Sequence, residues 1–343
     1  MKNKPSGKNI KITIKDVAKE AGVSLATTSY VLNGKKSFSD ETKKKVLDAV
    51  DKLDYKPSSF AKAMRSGKTK SIGLILPNLD NPFFPELIKA IEKSARNIGY
   101  TVILIDSQND SEIEKEGAHR LIQLSVEGII WCPLSDVNSF EKQRRNIPIV
   151  VIDRPDSNGM YDCLYSDYHL AAKLISNHIK ELKHPKIGII SGPKSILTAR
   201  LRTETCIKEI ENISTVVWCE QSPFTTKLSG SAIEALARNE ISLLVAGNDM
   251  IAIGAILYLR EIGLRVPEDV SVIGYDGTSI SKVFTPKLTT IKQSLDVIGE
   301  QSIQILTRRT QHPSMPLQRC STTVELVSGG STKQYIDGNS DEK

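Results

Sequence analysis

The sequence predicts two kinds of fold in one chain, a small all-α headpiece at residues 1–57 and an α/β body at residues 71–330. Three observations support this division. Two short helical patterns joined by a glycine turn lie near the start of the chain. Farther along, short apolar runs alternate with amphipathic helical stretches, a pattern typical of parallel sheets covered on both faces. The length of 343 residues is also sufficient for two or three domains.

Residues 14–34 carry the pattern of a helix-turn-helix. Val17 and Ala21 fall on one face of a first helix, and Gly22 suits the positive φ of a sharp turn. Ser24 is a good N-cap for the second helix, because its hydroxyl can accept a free backbone N–H. The exposed face of that second helix carries short or polar groups, as expected of a helix that faces the major groove of DNA. An ordinary helical hairpin is the alternative interpretation.

The charge distribution supports a DNA-binding headpiece. A third helix is predicted after Ser39, with an apolar stripe at helical spacing, and Pro57 ends it. Residues 1–70 contain 17 Lys and Arg against seven Asp and Glu, whereas the rest of the chain contains 29 against 33. A basic headpiece on a mildly acidic body indicates a polyanionic partner for the headpiece alone. A solvated basic tail is the alternative, but it explains only the first eleven residues.

Composition and motifs exclude several classes of protein. The chain is 25% charged and 39% hydrophobic, as in a soluble globular protein. No apolar run approaches the ~20 residues of a membrane span, and none follows the N-terminus, so we expect no membrane partner, no secretory signal and a cytoplasmic location. The five cysteines are widely spaced, which indicates reduced thiols and no metal site. Without a catalytic motif, the sequence predicts neither an enzyme, nor catalytic residues, nor a cofactor.

A series of motifs resembles the lactose/galactose/purine repressor (LacI/GalR) family of bacterial transcription regulators. These motifs are residues 13–18, 22–24, 31–34, 55–57, 71–77, 81–84, 264–276 and 288–293. They fall in the order and spacing of that family, and the resemblance covers roughly residues 12–327. It implies a body made of two doubly wound parallel-sheet lobes of periplasmic-binding-protein type.

For DNA, the resemblance implies a homodimer that binds a near-palindromic double-stranded operator. Residues 58–70 would form a hinge helix, with a flexible linker as the alternative. Met64 stands where the family has a leucine that wedges into the minor groove, and Tyr30 stands where arginine is frequent. The expected DNA-binding residues are Thr13, Ser24, Leu25, Ala26, Thr27, Ser29, Tyr30, Asn33, Tyr55 and Met64.

In the body, the sequence predicts one set of strands and helices for each lobe. The first-lobe strands are 71–77, 100–107, 128–132 and 147–153, with helices at 85–99, 113–125 and 139–146. The second-lobe strands are 186–191, 216–221, 243–247 and 271–275, with helices at 167–182, 201–211, 228–238 and 250–264. By resemblance the chain crosses between the lobes three times, so the first lobe takes about 71–153 and 291–327 and the second about 166–280. Residues 328–343 are expected to form a loose tail.

Ligands of open α/β sheets bind beyond the carboxyl ends of the strands, which here places polar and aromatic residues at one cleft between the lobes. Carried over by motif, the expected effector-binding residues are Phe83, Phe84, Arg154, Thr198, Arg202, Phe224, Asn248 and Asp276. Ile196 replaces an arginine of the purine-type member, which favours a sugar or sugar phosphate over a purine as the small-molecule effector. The resulting hypothesis is a ligand-controlled transcription regulator, a repressor of a carbohydrate-utilisation operon. The alternatives are a purine- or nucleoside-responsive regulator and a two-lobe transport receptor.

Overall fold

The computed structural model describes the helix-turn-helix region and most of the body. The described ranges are residues 12–33, 38–56, 68–134, 147–155 and 159–336. Met64, the hinge positions 58–67 and the expected helix at 139–146 lie outside them, so those expectations stay predictions. Within the described ranges, no helix is long and apolar enough to cross a membrane.

The chain divides into two compact units, and the described residues of the first, Met1–Thr69, form three short helices. They are α1 (Ile14–Ala21), α2 (Leu25–Leu32) and α3 (Asp40–Lys52). The hydroxyl and the N–H of Thr13 both donate to Oδ2 of Asp16, at 2.7 and 2.8 Å, and this closes the first turn of α1. Gly22 has a φ of 64° and ends α1 in the left-handed region. Both the helices and the glycine turn agree with the sequence pattern.

The three helices enclose a small apolar core. Its buried members are Val17, Ala21, Val46, Ala49 and Tyr55. Tyr55, which was expected to contact DNA, is only 8% exposed. Its position supports a packing role for the ring, because the aromatic ring fills the space where the chain leaves α3.

The second unit, Lys70–Lys343, alternates strands and helices. The strands are β1 (Ser71–Leu76), β2 (Thr101–Asp106), β3 (Ile129–Trp131), β4 (Ile149–Ile152), β5 (Asp162–Ser166), β6 (Lys186–Ser191), β7 (Thr215–Gln221), β8 (Leu243–Ala246), β9 (Ser271–Asp276), β10 (Thr289–Gln293), β11 (Arg319–Thr322) and β12 (Val324–Val327). The helices are α4 (Phe83–Asn97), α5 (Ser111–Gln123), α6 (Tyr168–Leu182), α7 (Leu197–Ile210), α8 (Gly230–Ala237), α9 (Asp249–Glu261), α10 (Ser279–Val283) and α11 (Leu295–Gln311).

These strands form two six-stranded sheets, one in each lobe. The first has the order β11-β5-β4-β3-β1-β2 and its pairs are all parallel. The second has the order β12-β10-β9-β8-β6-β7 and is parallel except for the edge pair of β10 and β12. Helices α4 and α11 share a buried cluster on one face of the first sheet, and α5 covers the other. In the second lobe, α6 and α7 cover one face and α8 and α9 the other.

The boundaries of the lobes differ from the expected ones near the C-terminus. Strands β10 and β12 belong to the second sheet, so the assignment of residues 291–327 as a whole to the first lobe is wrong. Only α11 and β11 return to the first lobe. The crossings lie after β5, after β10 and between β11 and β12. The three crossing segments contact one another. The hydroxyl of Ser166 donates a hydrogen bond to Oε1 of Gln293, and the hydroxyl of Ser294 donates to the carbonyl of Thr323 at 2.9 Å.

The described part of the expected loose tail, residues 328–336, packs against the second lobe. Ser331 is fully buried, and its hydroxyl donates to the carbonyl of Val272 at 2.6 Å and accepts the N–H of Thr289 at 2.8 Å. The N–H of Tyr335 donates to the carbonyl of Leu182 at 2.8 Å. The prediction of a loose tail starting at residue 328 is therefore wrong for these residues. Residues 328–336 supply hydrogen-bond partners for backbone groups at the starts of β9 and β10, which would otherwise be buried unpaired.

A buried ion pair ties α11 to the first sheet. Arg309 donates from Nε and Nη2 to the two carboxylate oxygens of Asp162, at 2.9 and 2.8 Å. The side chain of Asp162 is 1% exposed and that of Arg309 is 11% exposed. The same carboxylate accepts the N–H of Gln318 at 2.8 Å, just before β11. This bidentate geometry fixes the C-terminal return of the chain to the first lobe.

We expect Arg309→Gln to lower the free energy of unfolding of the body by about 3–5 kcal/mol, because it leaves the Asp162 carboxylate buried without its counter-ion. Urea unfolding followed by circular dichroism measures this change. Arg308→Gln is the matched control, since Arg308 is exposed on the same helix. Equal unfolding midpoints for the two variants would contradict the assigned role of the pair.

Candidate functional site

Helix α2 presents an exposed face in the first unit. Leu25 is 43% exposed and Tyr30 is 39% exposed, and Ala26 lies on the surface with them. Thr28, by contrast, is fully buried, so it anchors the opposite side of the helix. An exposed apolar residue and an exposed tyrosine on one short helix fit contact with base edges and thymine methyl groups.

Other expected DNA-binding residues hold the ends of this helix. The hydroxyl of Ser24 accepts the N–H of Thr27 at 3.0 Å, and the two hydroxyls lie 2.8 Å apart. At the other end, Nδ2 of Asn33 donates to the carbonyl of Ser29 at 2.6 Å. These contacts fix both ends of α2, and the same side chains are partly exposed or exposed at the rim of its exposed face.

In the body, a small cavity lies between the two lobes, beyond the carboxyl ends of the strands. Its lining contains seven of the eight expected effector-binding residues, namely Phe83, Arg154, Thr198, Arg202, Phe224, Asn248 and Asp276. Phe84 does not line the cavity. It packs in the core of the first lobe with its ring edge-on to Phe83, the two centroids 5.2 Å apart. Neighbouring residues on a helix point in different directions, so only one phenylalanine of the pair faces the cleft.

Three further residues line the same cavity. Asn81, Asp153 and Ile196 lie in stretches that the sequence placed after strands, but none was among the expected site residues. The carbonyl oxygen of the Asn81 side chain accepts the N–H of Phe83 at 3.1 Å and so holds the start of α4. Asp153 directly follows β4, and this position after a parallel strand is the sequence feature that could have identified it as a site residue.

Arg202 is the central charged group of the site. From α7 in the second lobe, its Nη2 lies 3.3 Å from Oδ1 of Asp153 in the first lobe, and its Nη1 lies 3.2 Å from Oδ1 of Asp276. The guanidinium also lies over the ring of Tyr275, 4.0 Å from its centroid. Burial alone lowers the pKa of Arg202, but Tyr275, Asp276 and Asp153 together raise it above its usual value, so the group stays charged.

Asp153 connects the lobes through its backbone as well. Its φ is 62°, in the left-handed region that short polar side chains tolerate. Its carbonyl oxygen accepts the hydroxyl of Tyr168 at 2.8 Å and that of Thr198 at 2.9 Å, both from the second lobe. A third contact between the lobes joins the carboxylate of Glu86 to the N–H of Ser279 at 2.7 Å.

Asp276 is buried at the end of β9. Its Oδ1 accepts Nε2 of Gln293 at 2.8 Å in addition to the Arg202 contact. Burial raises the pKa of Asp276 to about 7, against the opposing effect of the Arg202 charge. Nearby Asp249 has a pKa raised by burial to about 6, although Thr290 and Thr278 donate to it. The negative charge of the site near neutral pH is therefore smaller than a count of its carboxylates suggests.

Phe224 and Asn248 complete the second-lobe wall. Phe224 lies against Gly192, where an added Cβ would come within 2.1 Å of the ring atom Cζ, so only glycine permits this approach. Asn248 caps α9, its Oδ1 accepting the N–H of Ile251 at 2.9 Å. The Nδ2 of Asn248 is buried without a hydrogen-bond partner among the described residues. A ligand in the cavity can supply the missing acceptor.

We expect Gly192→Ala to destabilise the body by about 1–3 kcal/mol, because the new methyl group displaces the Phe224 ring. Thermal or urea unfolding measures the effect. Gly230→Ala is the matched control, since a Cβ there meets nothing within 4 Å at the first turn of α8. An unchanged Gly192→Ala unfolding midpoint would show that the ring position does not depend on the glycine.

Two family models match the two units of the chain. "Bacterial regulatory proteins, lacI family" matches residues 13–58, and "Periplasmic binding proteins and sugar binding domain of LacI family" matches residues 69–320. A curated relative, the HTH-type transcriptional repressor PurR of Haemophilus influenzae (strain PittEE), is 36% identical over 338 residues, which cover 94% of this chain and 99% of the relative.

Solved structures resemble most of the chain. The lac repressor dimer bound to operator and the anti-inducer ONPF has a TM-score of 0.84 and 27% identity, over 94% of this chain and 99% of the other. A LacI family transcriptional regulator from Enterococcus faecalis V583 with bound ribose has a TM-score of 0.68 and 26% identity, over 78% and 100%. With a helix-turn-helix in its first unit and a two-lobe binding fold in its second, the chain belongs to the LacI family of bacterial regulatory proteins.

Proposed function

We propose that this member of the LacI family is a repressor that works as a homodimer in the cytoplasm and binds a near-palindromic operator. In this proposal a small molecule enters the cleft between the lobes and changes the affinity for DNA. The protein acts by binding alone, with no catalytic step. The coupling between the two binding events is typically ~1–3 kcal/mol.

The Arg202 cluster is the observation that carries the ligand-controlled part of this proposal. Its guanidinium joins a carboxylate of the first lobe to a carboxylate of the second, across the wall of the cavity. A ligand that contacts either carboxylate or the guanidinium alters the balance between closed and open lobes. Differential contacts of this kind are what a ligand needs in order to shift a conformational equilibrium.

The DNA-binding part is supported by the exposed face of α2 and by the basic charge of the first 70 residues. A similar structure, the lac repressor dimer, is bound to operator. In a two-fold dimer, two recognition helices meet half-sites about one helical turn apart, ~34–36 Å. Leu25, Ala26 and Tyr30 would face bases, and Thr27 and Ser29 would hold phosphates.

The lining of the cavity favours a sugar or a sugar derivative as the effector. Carboxylate, guanidinium and amide groups supply both acceptors and donors for hydroxyl groups, and Phe83 and Phe224 supply apolar surface. The Enterococcus faecalis structure contains ribose.

A purine base is the second candidate effector. The relatives named PurR, at 34–36% identity, favour it. Phe224 offers a ring face on which a base could stack. Ile196 at the cavity wall supplies no hydrogen bond to a base, which makes the purine the weaker of the two candidates.

The experiment that tests the regulator proposal is selection of binding sites from genomic DNA fragments by the purified protein at about physiological salt. We expect a recurring near-palindrome, read by the two helices of a dimer. The genes beside it identify sugars or purines to add in the next assay. An absence of enrichment, with and without cell metabolites, would favour a two-lobe binding protein that does not regulate transcription.

We expect Asp276→Asn to weaken the effector response strongly and to leave operator affinity nearly unchanged. The substitution keeps the shape but removes the charge that Arg202 and the ligand share, so effector affinity falls on the order of tenfold or more. Fluorescence anisotropy on the selected operator, with and without effector, measures both. Asp296→Asn, at an exposed position on α11, is the matched control. A full response in Asp276→Asn would contradict the site assignment.

A further inference from the structure

We propose that the effector carries an anionic group, a phosphate or a carboxylate, which pairs with Arg154 at the first-lobe wall of the cleft. This inference rests on the proposed function, because it names the chemical class of the ligand for the same cavity. It selects sugar phosphates and sugar acids over neutral sugars and free bases.

Arg154 is a buried charge with no salt-bridge partner among the described residues. It follows Asp153 after β4, lines the cavity and is only 7% exposed. Its Nη1 donates to the carbonyl of Pro133, and its Nε is buried without a hydrogen-bond partner. Within the described ranges, no carboxylate forms a salt bridge with its guanidinium. Burying a guanidinium costs free energy when no anion pairs with it, and a bound anionic ligand would offset this cost.

Glu114, a buried acidic group that senses the Arg154 charge, forms no salt bridge with it. Glu114 on α5 is 2% exposed and does not line the cavity. Its Oε1 accepts the indole N–H of Trp131 at 2.7 Å and the N–H of Leu134 at 3.1 Å. Burial raises the pKa of Glu114, against the opposing effects of its two hydrogen bonds and of the Arg154 charge, and this weakens Glu114 as a counter-charge for Arg154.

The second guanidinium of the cavity is already neutralised. Asp153 and Asp276 both lie beside Arg202, so among the described lining residues Arg154 is the guanidinium without a carboxylate in salt-bridge contact. Among the described lining residues, the buried polar atoms without partners are all donors: Nε of Arg154, Nε of Arg202 and Nδ2 of Asn248. An occupant rich in acceptor oxygens satisfies donors of this kind, and a planar guanidinium prefers the two oxygens of a phosphate or carboxylate.

The first test uses inorganic phosphate and acetate as probes on the full chain. Thermal unfolding is followed in phosphate, acetate and sodium chloride at matched ionic strength. We expect a saturable rise in Tm with phosphate or acetate for the wild type and for Arg200→Gln. Arg200 is a matched control, because it lies on α7 and donates to the carbonyl of Lys194 but does not line the cavity. Arg154→Gln should lose the rise, and Arg154→Lys, which keeps the charge, should retain part of it.

The second test identifies the anion by calorimetric titration with matched pairs: ribose and ribose 5-phosphate, glucose and glucose 6-phosphate, glucose and glucuronate. We expect at least one anionic member to bind the wild type on the order of tenfold more tightly than its neutral partner. Arg154→Gln should remove that preference. A preference confined to phosphates assigns a phosphate ligand, and one confined to glucuronate assigns a carboxylate.

Two results would overturn the inference: a Tm rise that is absent or equal in wild type and Arg154→Gln, or neutral members that bind as tightly as anionic ones. Its failure is distinguishable from failure of the proposed function. If a neutral sugar changes operator affinity equally in wild type and Arg154→Gln, the anionic effector is ruled out and the proposed regulator function stands. If anions bind through Arg154 but leave operator affinity unchanged, the anion site stands and the proposed control of DNA binding by a ligand is ruled out.

Discussion

A buried guanidinium is the group around which the cleft is organised. The charge of Arg202 is tolerated only because a carboxylate from each lobe lies beside it. Asp153 directly follows β4 and Asp276 is the last residue of β9, so both lie at the edge where the two sheets face each other. The approach of the lobes, the charge of the cavity and the orientation of its polar walls therefore depend on one ion cluster.

Much of the fold is encoded in local patterns. The predicted strand at 186–191 coincides with β6, and apolar runs between amphipathic stretches predicted two doubly wound lobes. The allocation of C-terminal segments was not predictable in this way. Strand β10 pairs with β9 and β12, and α11 returns to the first lobe, because hydrogen bonds to distant strands decide sheet membership. The sequence of a short alternating segment contains no local feature that indicates which strand it pairs with.

The site was predictable at the level of loops and less so at the level of side chains. The rule that ligands bind after strands placed Arg202, Asn248 and Asp276 together, and the structure brings them to one cavity. It could not separate Phe83 from Phe84, since the choice depends on the direction of each side chain from the first turn of α4. Nor could it show that Asp153 has a positive φ, which turns its carbonyl toward the second lobe.

The last two strands, β11 and β12, are separated by Thr323 alone, yet they complete different sheets. Neither lobe is thus a continuous piece of chain. During synthesis, the partners of these strands leave the ribosome long before β11 and β12 do, and loop closure over such separations is slow. Both lobes need the same short C-terminal stretch, residues 319–327, before their sheets are complete, so the two sheets are completed together. A chain truncated before residue 319 would leave an unpaired strand edge in both sheets.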